Sequence, residues 1–286
     1  MTVPSPFPSN TESTAAPAGG TRITRLFERL RAENGRALIA FVTAGDPDLE
    51  TTRKLVLALG RAGADLVELG IPFSDPLLDG PVIQAASQRA LDHGTRVAAI
   101  FDTVEAIRRE SQVPIIFMTC MNPIHRVGAA SFARRAAAAG IDGILVTDLP
   151  PEEAHDWIPI ARSAGLDRIF MLAPTSSDDR IASVAAAASG FIYCQSRAGV
   201  TGFRQSVPPE LGALMARVRS VSPLPIGVGF GISTPEHARS IAALAEGVVV
   251  GTAFVRLIEE HGADPAAAVE AVANLAARLK AAAVND

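Results

Sequence analysis

Two carboxylates, Glu68 and Asp79, stand eleven residues apart on either side of a segment rich in proline and glycine. Glu68 ends a largely apolar run at residues 64–67 that reads as a buried strand. A buried strand tolerates a charge at its end only when the charge has a partner or a function. Two carboxylates in different environments can divide acid and base roles between them. The pair is therefore our candidate for proton transfer.

A second candidate feature is the concentration of glycine late in the chain. Residues 227–233 read GVGFGIS, and Gly251 is followed by Thr252. Glycines let backbone N–H groups approach an anion closely, and a helix N-terminus adds a favourable dipole. We predict a phosphate site here, to which Gly202 contributes a further N–H. Glycine is also ordinary in tight turns, so the elements that carry these residues decide between the two interpretations.

The residue types that are scarce exclude several chemistries. The only two lysines, Lys54 and Lys280, fall on predicted helices away from strand ends, which disfavours a Schiff base. No pair of histidines has metal-ligand spacing with a carboxylate nearby, so we predict no metal. We expect surface or structural roles for all five, which are His93, His125, His155, His237 and His261. If such a site breaks a C–C bond, the substrate itself must accept the electrons.

Bulk composition narrows the class of protein. The chain has 286 residues, is 48% hydrophobic and carries a net charge of -4, which argues against nucleic acid or an anionic membrane as the main partner. No apolar run reaches the roughly 18 residues of a membrane span. Residues 1–20 lack a signal-peptide pattern, and we expect a disordered tail there. We expect a cytoplasmic protein in which Cys120 and Cys194 are buried free thiols in core strands.

The elements that must position these residues are eight short apolar runs separated by amphipathic segments. The predicted strands are 38–43, 65–70, 114–119, 143–148, 168–173, 190–196, 225–230 and 247–251. The clearest predicted helices are 49–62, 129–140, 151–165 and 235–245, with Asp48, Ser131, Ser177 and Thr234 as N-caps and Gly140 and Gly165 at C-terminal ends. Continuously apolar strands with helical crossovers indicate a parallel sheet buried on both faces.

Eight strand–helix units in about 260 residues match the size of an α/β TIM barrel. The alternative is an open doubly wound sheet, but the turn after the first strand, residues 43–47, lacks that fold's glycine fingerprint. We therefore predict one barrel domain over residues 21–286. In such a barrel the loops after strands carry function, and those after strands seven and eight commonly bind phosphate. The two longest units hold Asp79 and residues 196–203.

Four motifs, in order, resemble one family, that of the tryptophan synthase alpha subunit. They are FVTAGDP at 41–47, ELGIPFSDPLLDGP at 68–81, SRAGVTG at 196–202 and GFGIS at 229–233. The resemblance runs from about residue 21 to the C-terminus. It implies a TIM barrel that cleaves indole-3-glycerol phosphate to indole and glyceraldehyde 3-phosphate. It also implies an α2β2 complex, in which indole passes to a beta subunit that holds the pyridoxal phosphate, with no cofactor in this chain.

The resemblance also implies roles for individual residues. Glu68 would move protons at indole C3 and at the glycerol hydroxyl, and Asp79 would bind the indole N–H and stabilise positive charge. Tyr193 would position the general acid or line the pocket. The other implied residues are Phe41, Ile83, Leu145, Phe230 and Thr201 at the indole, Gly202, Gly231, Ser233, Gly251 and Thr252 at the phosphate, and Asp75, Pro76 and Asn122 at the partner. The apolar members of this set are equally good core residues, and Asn122 with Pro123 is also a common turn.

One departure from the family pattern falls at residues 119–123, TCMNP, where aromatic residues usually precede Asn-Pro. Cys120 in place of a ring removes apolar volume, and Met121 is flexible enough to refill it. The altered segment keeps a second reading open, a stand-alone lyase that releases free indole. A third reading is a non-catalytic activator of a beta subunit, which the presence of both Glu68 and Asp79 disfavours.

Overall fold

The structure is a computed structural model that describes residues 20–76, 78–195, 209–229 and 231–284. Eight parallel strands close into a barrel in chain order, β1 to β8. The strands are β1 Ala37–Thr43, β2 Leu66–Gly70, β3 Ile115–Thr119, β4 Gly143–Val146, β5 Asp167–Leu172, β6 Ile192–Gln195, β7 Ile226–Gly229 and β8 Gly247–Val250. The prediction of a TIM barrel is confirmed. The predicted tail, apart from Gly20, lies outside the described residues.

Helices surround the barrel between successive strands. They are α1 Arg22–Ala32, α2 Leu49–Arg61, α3 Pro81–Asp92, α4 Val97–Arg108, α5 Met121–Val127, α6 Ala129–Ala139, α7 Trp157–Ser163, α8 Asp178–Ala187, α9 Pro209–Val221, α10 Pro235–Ala242, α11 Thr252–Glu260 and α12 Pro265–Val284. None of the helices in the described ranges is long and apolar enough to cross a membrane. The two lysines lie on α2 and α12, as predicted.

Most predicted helix boundaries agree with the structure. Asp48, Ser177 and Thr234 each accept a hydrogen bond from a backbone N–H in the first turn of α2, α8 and α10. Ser131 is not the N-cap of α6, because Gly128, with a φ of 86°, ends α5 and is itself the N-cap of α6, three residues earlier.

The predicted helix at 151–165 was too long. The segment after Pro150 forms turns, in which the backbone N–H of Glu153 donates to the Pro150 carbonyl, and α7 begins only at Trp157. Gly140 and Gly165 have positive φ at helix ends, as predicted.

The N-terminal end of the barrel is closed. Phe27 of α1 packs against Phe191, with ring centroids 6.0 Å apart, and Ile23, Leu26 and Leu30 join the same interior cluster. Three carboxylates join neighbouring strands at this end. Asp65 before β2 accepts a hydrogen bond from a backbone N–H of β1, Asp142 before β4 from one of β3, and Glu246 before β8 from one of β7. A covered floor leaves the C-terminal end of the strands for a site.

Candidate active site

Glu68 lies in the middle of β2, where its register neighbours are Phe41 of β1 and Ile116 of β3. The residue is 1% exposed, and its Oε1 atom has no hydrogen-bond partner among the described residues. Burial raises the pKa of the Glu68 carboxyl to about 8, and the negative charge of Asp79 adds to the effect. Glu68 is therefore mostly protonated at neutral pH, the state that a general acid needs.

Asp79 lies on the loop between β2 and α3, two residues before the helix begins. The Nε2 atom of Gln84 donates to its backbone carbonyl at 2.8 Å, which ties the loop to α3. Burial raises the pKa of the Asp79 carboxyl to about 6. At neutral pH Asp79 is mostly ionised while Glu68 is mostly protonated, so their environments separate the two carboxylates as acid and anion.

Asp79 faces a cavity at the C-terminal end of the strands. The cavity is lined by Phe41, Thr43, Gly70, Ile71, Phe73, Pro76, Asp79, Ile83, Ser87, Met118, Thr119, Cys120 and Thr147. Among the residues predicted for indole binding, Phe41 and Ile83 thus join Asp79. Leu145 does not line this cavity, because it lies deeper, in the interior cluster with Ile116 and Ile169. Thr201 and Phe230 lie outside the described residues.

A bidentate ion pair between Arg89 and Asp46 fixes α3, which forms one wall of the cavity. The Nε and Nη2 atoms of Arg89 donate to the two carboxylate oxygens of Asp46, each at 2.9 Å. Asp46 is buried and follows β1, and Arg89 also pairs with Glu259 of α11. Paired Arg–carboxylate bonds of this kind fix orientation as well as distance. They hold α3, with Ile83 and Ser87, against the end of β1.

Phe41 reaches the cavity because two glycines make room for it. A Cβ atom at Gly70 would lie 2.7 Å from Cζ of the Phe41 ring, and one at Gly251 would lie 3.3 Å from its Cβ. The ring therefore lies over the backbone at the end of β2 and close to the start of α11. This arrangement places an aromatic face beside the register position of Glu68.

Tyr193 on β6 is 6% exposed and belongs to the interior cluster. Its hydroxyl lies over Gly229 of β7, where an added Cβ atom would come within 2.2 Å of Oη. Burial and the charge of Glu68 raise the pKa of the Tyr193 phenol well above its usual range. The phenol stays protonated and can donate a hydrogen bond beside the carboxyl group of Glu68.

The residues predicted to bind phosphate lie after β7 and β8. Gly231 has a φ of 86°, in the left-handed region that favours glycine, and Ser233 precedes the N-cap of α10. Gly251 is the N-cap of α11, has no side chain to cap the helix, and is followed by Thr252. The first N–H groups of α11 therefore have no side-chain acceptor from the cap, which suits an anion. Gly202 lies outside the described residues.

The residues predicted to face a partner lie at the same end of the barrel. Asp75 is exposed and accepts a hydrogen bond from Ser74, while Pro76 beside it lines the cavity. Asn122 is exposed in the first turn of α5. One loop thus carries both a cavity-facing and a solvent-facing residue.

Cys194 lies in β6 as predicted, but Cys120 follows β3 as the N-cap of α5. Both thiols are free and buried. The Cys120 Sγ lies 3.6 Å from Thr147 Oγ1 on the cavity wall, and burial raises the pKa of the thiol. Met121 packs against the main core cluster, its backbone N–H donates to Asp148, and it is not among the residues that line the cavity.

Sequence reasoning missed Thr43, Met118 and Thr147 as cavity residues. Thr43 could have been predicted from Phe41, because residues two apart on a strand face the same side and Phe41 is two residues before it on β1. Within the described ranges, no group of three His, Cys, Asp or Glu residues could hold a metal ion.

Known proteins match this chain along most of its length. The family model described as tryptophan synthase alpha chain matches residues 27–284. The tryptophan synthase alpha chain of Citrifermentans bemidjiense is 54% identical over 241 residues, covering 84% of this chain and 90% of the relative. That of Burkholderia pseudomallei is 46% identical over 263 residues, covering 92% and 96%.

Solved structures match as well. A Mycobacterium tuberculosis tryptophan synthase structure aligns with a TM-score of 0.85 and 38% identity over 93% of this chain and 100% of the other. A tryptophan synthase complex from Pyrococcus furiosus aligns with a TM-score of 0.77 and 38% identity over 86% and 98%.

Proposed function

The chain belongs to the tryptophan synthase alpha chain family, and on that basis we propose how its residues cleave indole-3-glycerol phosphate to indole and glyceraldehyde 3-phosphate. The protein is a lyase of tryptophan biosynthesis. One observation carries the proposal. A carboxyl group with a pKa of about 8, in the middle of β2, interacts with a carboxylate with a pKa of about 6 on the cavity wall at the open end of the barrel.

Glu68 performs the first step as a general acid. Its proton goes to indole C3, and the ring becomes a cation with the positive charge centred on N1. Asp79, ionised at neutral pH, accepts the indole N–H and stabilises that charge electrostatically. Tyr193 donates a hydrogen bond toward Glu68 and holds its carboxyl group in position.

The second step breaks the C–C bond. Glu68, now a carboxylate, removes the proton from the hydroxyl on the carbon attached to C3. The O–H electrons form the aldehyde C=O of glyceraldehyde 3-phosphate, and the electrons of the breaking bond return to the ring. Neutral indole leaves with the added proton on C3, and Glu68 is again protonated. The substrate accepts the electrons throughout, so the step needs neither an imine nor a metal.

The remaining predicted residues bind the two ends of the substrate. Phe41 and Ile83 on the cavity wall pack on the indole ring, and Leu145 supports that wall from the interior cluster. By resemblance to the family, Phe230 also packs on the ring and Thr201 closes over it beside Asp79. Backbone N–H groups at Gly202, Gly231, Gly251 and Thr252, with the hydroxyl of Ser233, hold the phosphate. The N-cap of α11 is a glycine that makes no side-chain hydrogen bond to the first turn, which supports this assignment.

We further propose that the chain works in the cytoplasm with a beta subunit in an α2β2 complex. The structure from Pyrococcus furiosus is described as a tryptophan synthase complex. Asp75, Pro76 and Asn122 would contact the beta subunit, which alone would hold pyridoxal phosphate. The position of Pro76 on the cavity wall supports coupling between that contact and the active site.

An assay of indole release from indole-3-glycerol phosphate tests the proposal. The purified chain is measured alone and with a cognate beta subunit. We expect cleavage that the beta subunit strongly accelerates. High turnover by the chain alone, unchanged by the beta subunit, would support the stand-alone lyase instead. Absence of cleavage under both conditions would contradict the proposal and favour the non-catalytic activator.

A further inference from the structure

Thr43 carries a buried hydroxyl group that has no hydrogen-bond partner among the described residues. It is the last residue of β1, pairs in register with Gly70 of β2, and is 1% exposed. No described residue forms a hydrogen bond with its Oγ1 atom. Buried hydroxyl groups are normally satisfied. Thr52, nearby after β1, follows the rule, because its Oγ1 donates to the Asp48 carbonyl and accepts from the Gly45 N–H.

The Asp79 carboxylate lacks a described hydrogen-bond donor, whereas the Thr43 hydroxyl group lacks a described acceptor. Thr43 and Asp79 line the same cavity, and no described side chain or backbone N–H donates to the Asp79 carboxylate. Burial alone accounts for the raised pKa of this group, with no hydrogen bond to offset it. Within the part of the chain that the structure describes, a hydroxyl donor without an acceptor and a carboxylate without a donor thus line the same cavity.

Among the described contacts, none of the other groups that face Asp79 donates to its carboxylate. Glu68 from β2 and the Cys120 thiol from the start of α5 are the titratable groups that interact with its charge. The β1, β3 and α3 walls present Phe41, Met118 and Ile83. The hydroxyl groups of Thr119 and Thr147 donate to backbone carbonyls, so Ser87 of α3 is the other hydroxyl group of the described lining with no described acceptor. Within the described lining no cation is present.

We propose that Thr43 is a positioning residue for Asp79, whose hydroxyl group donates to the Asp79 carboxylate when substrate is bound. This inference rests on the proposed function. One carboxylate oxygen accepts the indole N–H, and the hydrogen bond from Thr43 fixes the other. A hydrogen bond to the ionised form also favours that form, so it keeps Asp79 charged in the complex.

Thr43→Val tests the role because valine has nearly the same shape and lacks the hydroxyl group. We expect kcat to fall by about 10-fold to 100-fold, as for loss of a hydrogen bond to a charged group, with little change in KM. The acid limb of the kcat profile should move to higher pH, while the alkaline limb, which belongs to Glu68, stays in place. Thr43→Ser should restore the wild-type profile. Thr103→Val on α4, whose hydroxyl only bonds the Ala99 carbonyl, is the matched control and should behave as wild type.

A double-mutant cycle with Asp79→Asn makes the test specific. If Thr43 acts through Asp79, adding Thr43→Val to Asp79→Asn costs little more. The inference would be overturned by an acid limb that does not move, by a change confined to KM, or by full additivity in the cycle. Because Thr43→Val removes an unsatisfied buried hydroxyl group, the melting temperature of this variant should not fall. A Thr43→Ser variant as slow as Thr43→Val would also overturn the inference. A wild-type chain without lyase activity contradicts the proposed function itself, which separates the two failures.

Discussion

The charge of Asp79 raises the pKa of Glu68, although the two residues lie on different elements, a loop and a strand. Burial at the centre of β2 is the larger cause and the neighbouring carboxylate the second. The difference between the two pKa values assigns the role of general acid to Glu68 and the role of anion to Asp79. The more deeply buried group keeps its proton to near pH 8, and the group on the loop loses its proton from about pH 6.

Replacing Glu68 by Gln removes the transferable proton and keeps the shape of the side chain. We expect kcat for indole release to fall by a factor of about 10² to 10⁴, the usual range for loss of a general acid or base. Glu105→Gln, on an exposed position of α4, is the control and should retain wild-type activity. A Glu68→Gln enzyme with wild-type turnover would show that another group moves the proton.

The pH profile of kcat/KM should be bell-shaped, with limbs near pH 6 and pH 8 that belong to the coupled pair. Asp79→Asn should lower kcat/KM by about 10² to 10³ and abolish the acid limb. It should also move the alkaline limb to lower pH, because the charge that raises the pKa of Glu68 is gone. An alkaline limb that stays at its wild-type position in Asp79→Asn would contradict the electrostatic coupling.

Stability should depend on pH through Glu68. Its pKa rises from 4.5 to about 8 on folding, so between these values the folded chain holds a proton that the unfolded chain releases. The free energy of unfolding should therefore fall as pH rises through this window. Glu68→Gln should flatten the dependence and stabilise the chain at pH 8 by on the order of a few kcal/mol. Urea denaturation at several pH values measures this; equal slopes in wild type and Glu68→Gln would exclude the shift.

Gly229→Ala should impair catalysis through Tyr193. The new Cβ atom would lie 2.2 Å from Oη and 2.8 Å from Cζ of the tyrosine, so the ring must leave its position over residue 229. We expect at least about a tenfold loss of kcat, as for displacement of a positioned group from the reaction. Gly212→Ala is the matched control, since a Cβ atom there meets nothing within 4 Å on α9 and should stabilise the helix by about 1 kcal/mol. Normal turnover by Gly229→Ala would show that Tyr193 is not needed in this position.

The barrel is predictable from the sequence because each strand is a short, continuous apolar run, such as β1 and β7, between segments with clear caps. Asp48 and Thr234 mark helix starts by their own side-chain chemistry. Ser131 fails as a cap because a glycine in the preceding turn sets the start of α6. The preference of serine for the N-cap position is overridden there by the positive φ of Gly128, which depends on how α5 ends.

The candidate site is only partly predictable. Glu68 is recognisable because a charge in a buried strand is unusual, although the structure places it in the middle of β2 and not at the end that the sequence suggested. Asp79 is recognisable as the second carboxylate of the loop motif that follows. The cavity partners of Asp79 depend on strand register and on how the barrel closes. Thr43, Met118 and Thr147 come from β1, β3 and the end of β4, and no local pattern joins them. The packing of Tyr193 over Gly229 likewise arises between neighbouring strands.

Direct titration of the Glu68 carboxyl group tests the central claim. Infrared difference spectra between wild type and Glu68→Gln isolate the C=O stretch of the protonated acid as pH is raised. The account predicts that this band persists through neutral pH and disappears with a midpoint near 8. A midpoint near the ordinary value of 4.5 would mean that Glu68 is ionised at neutral pH and cannot act as the acid that starts cleavage.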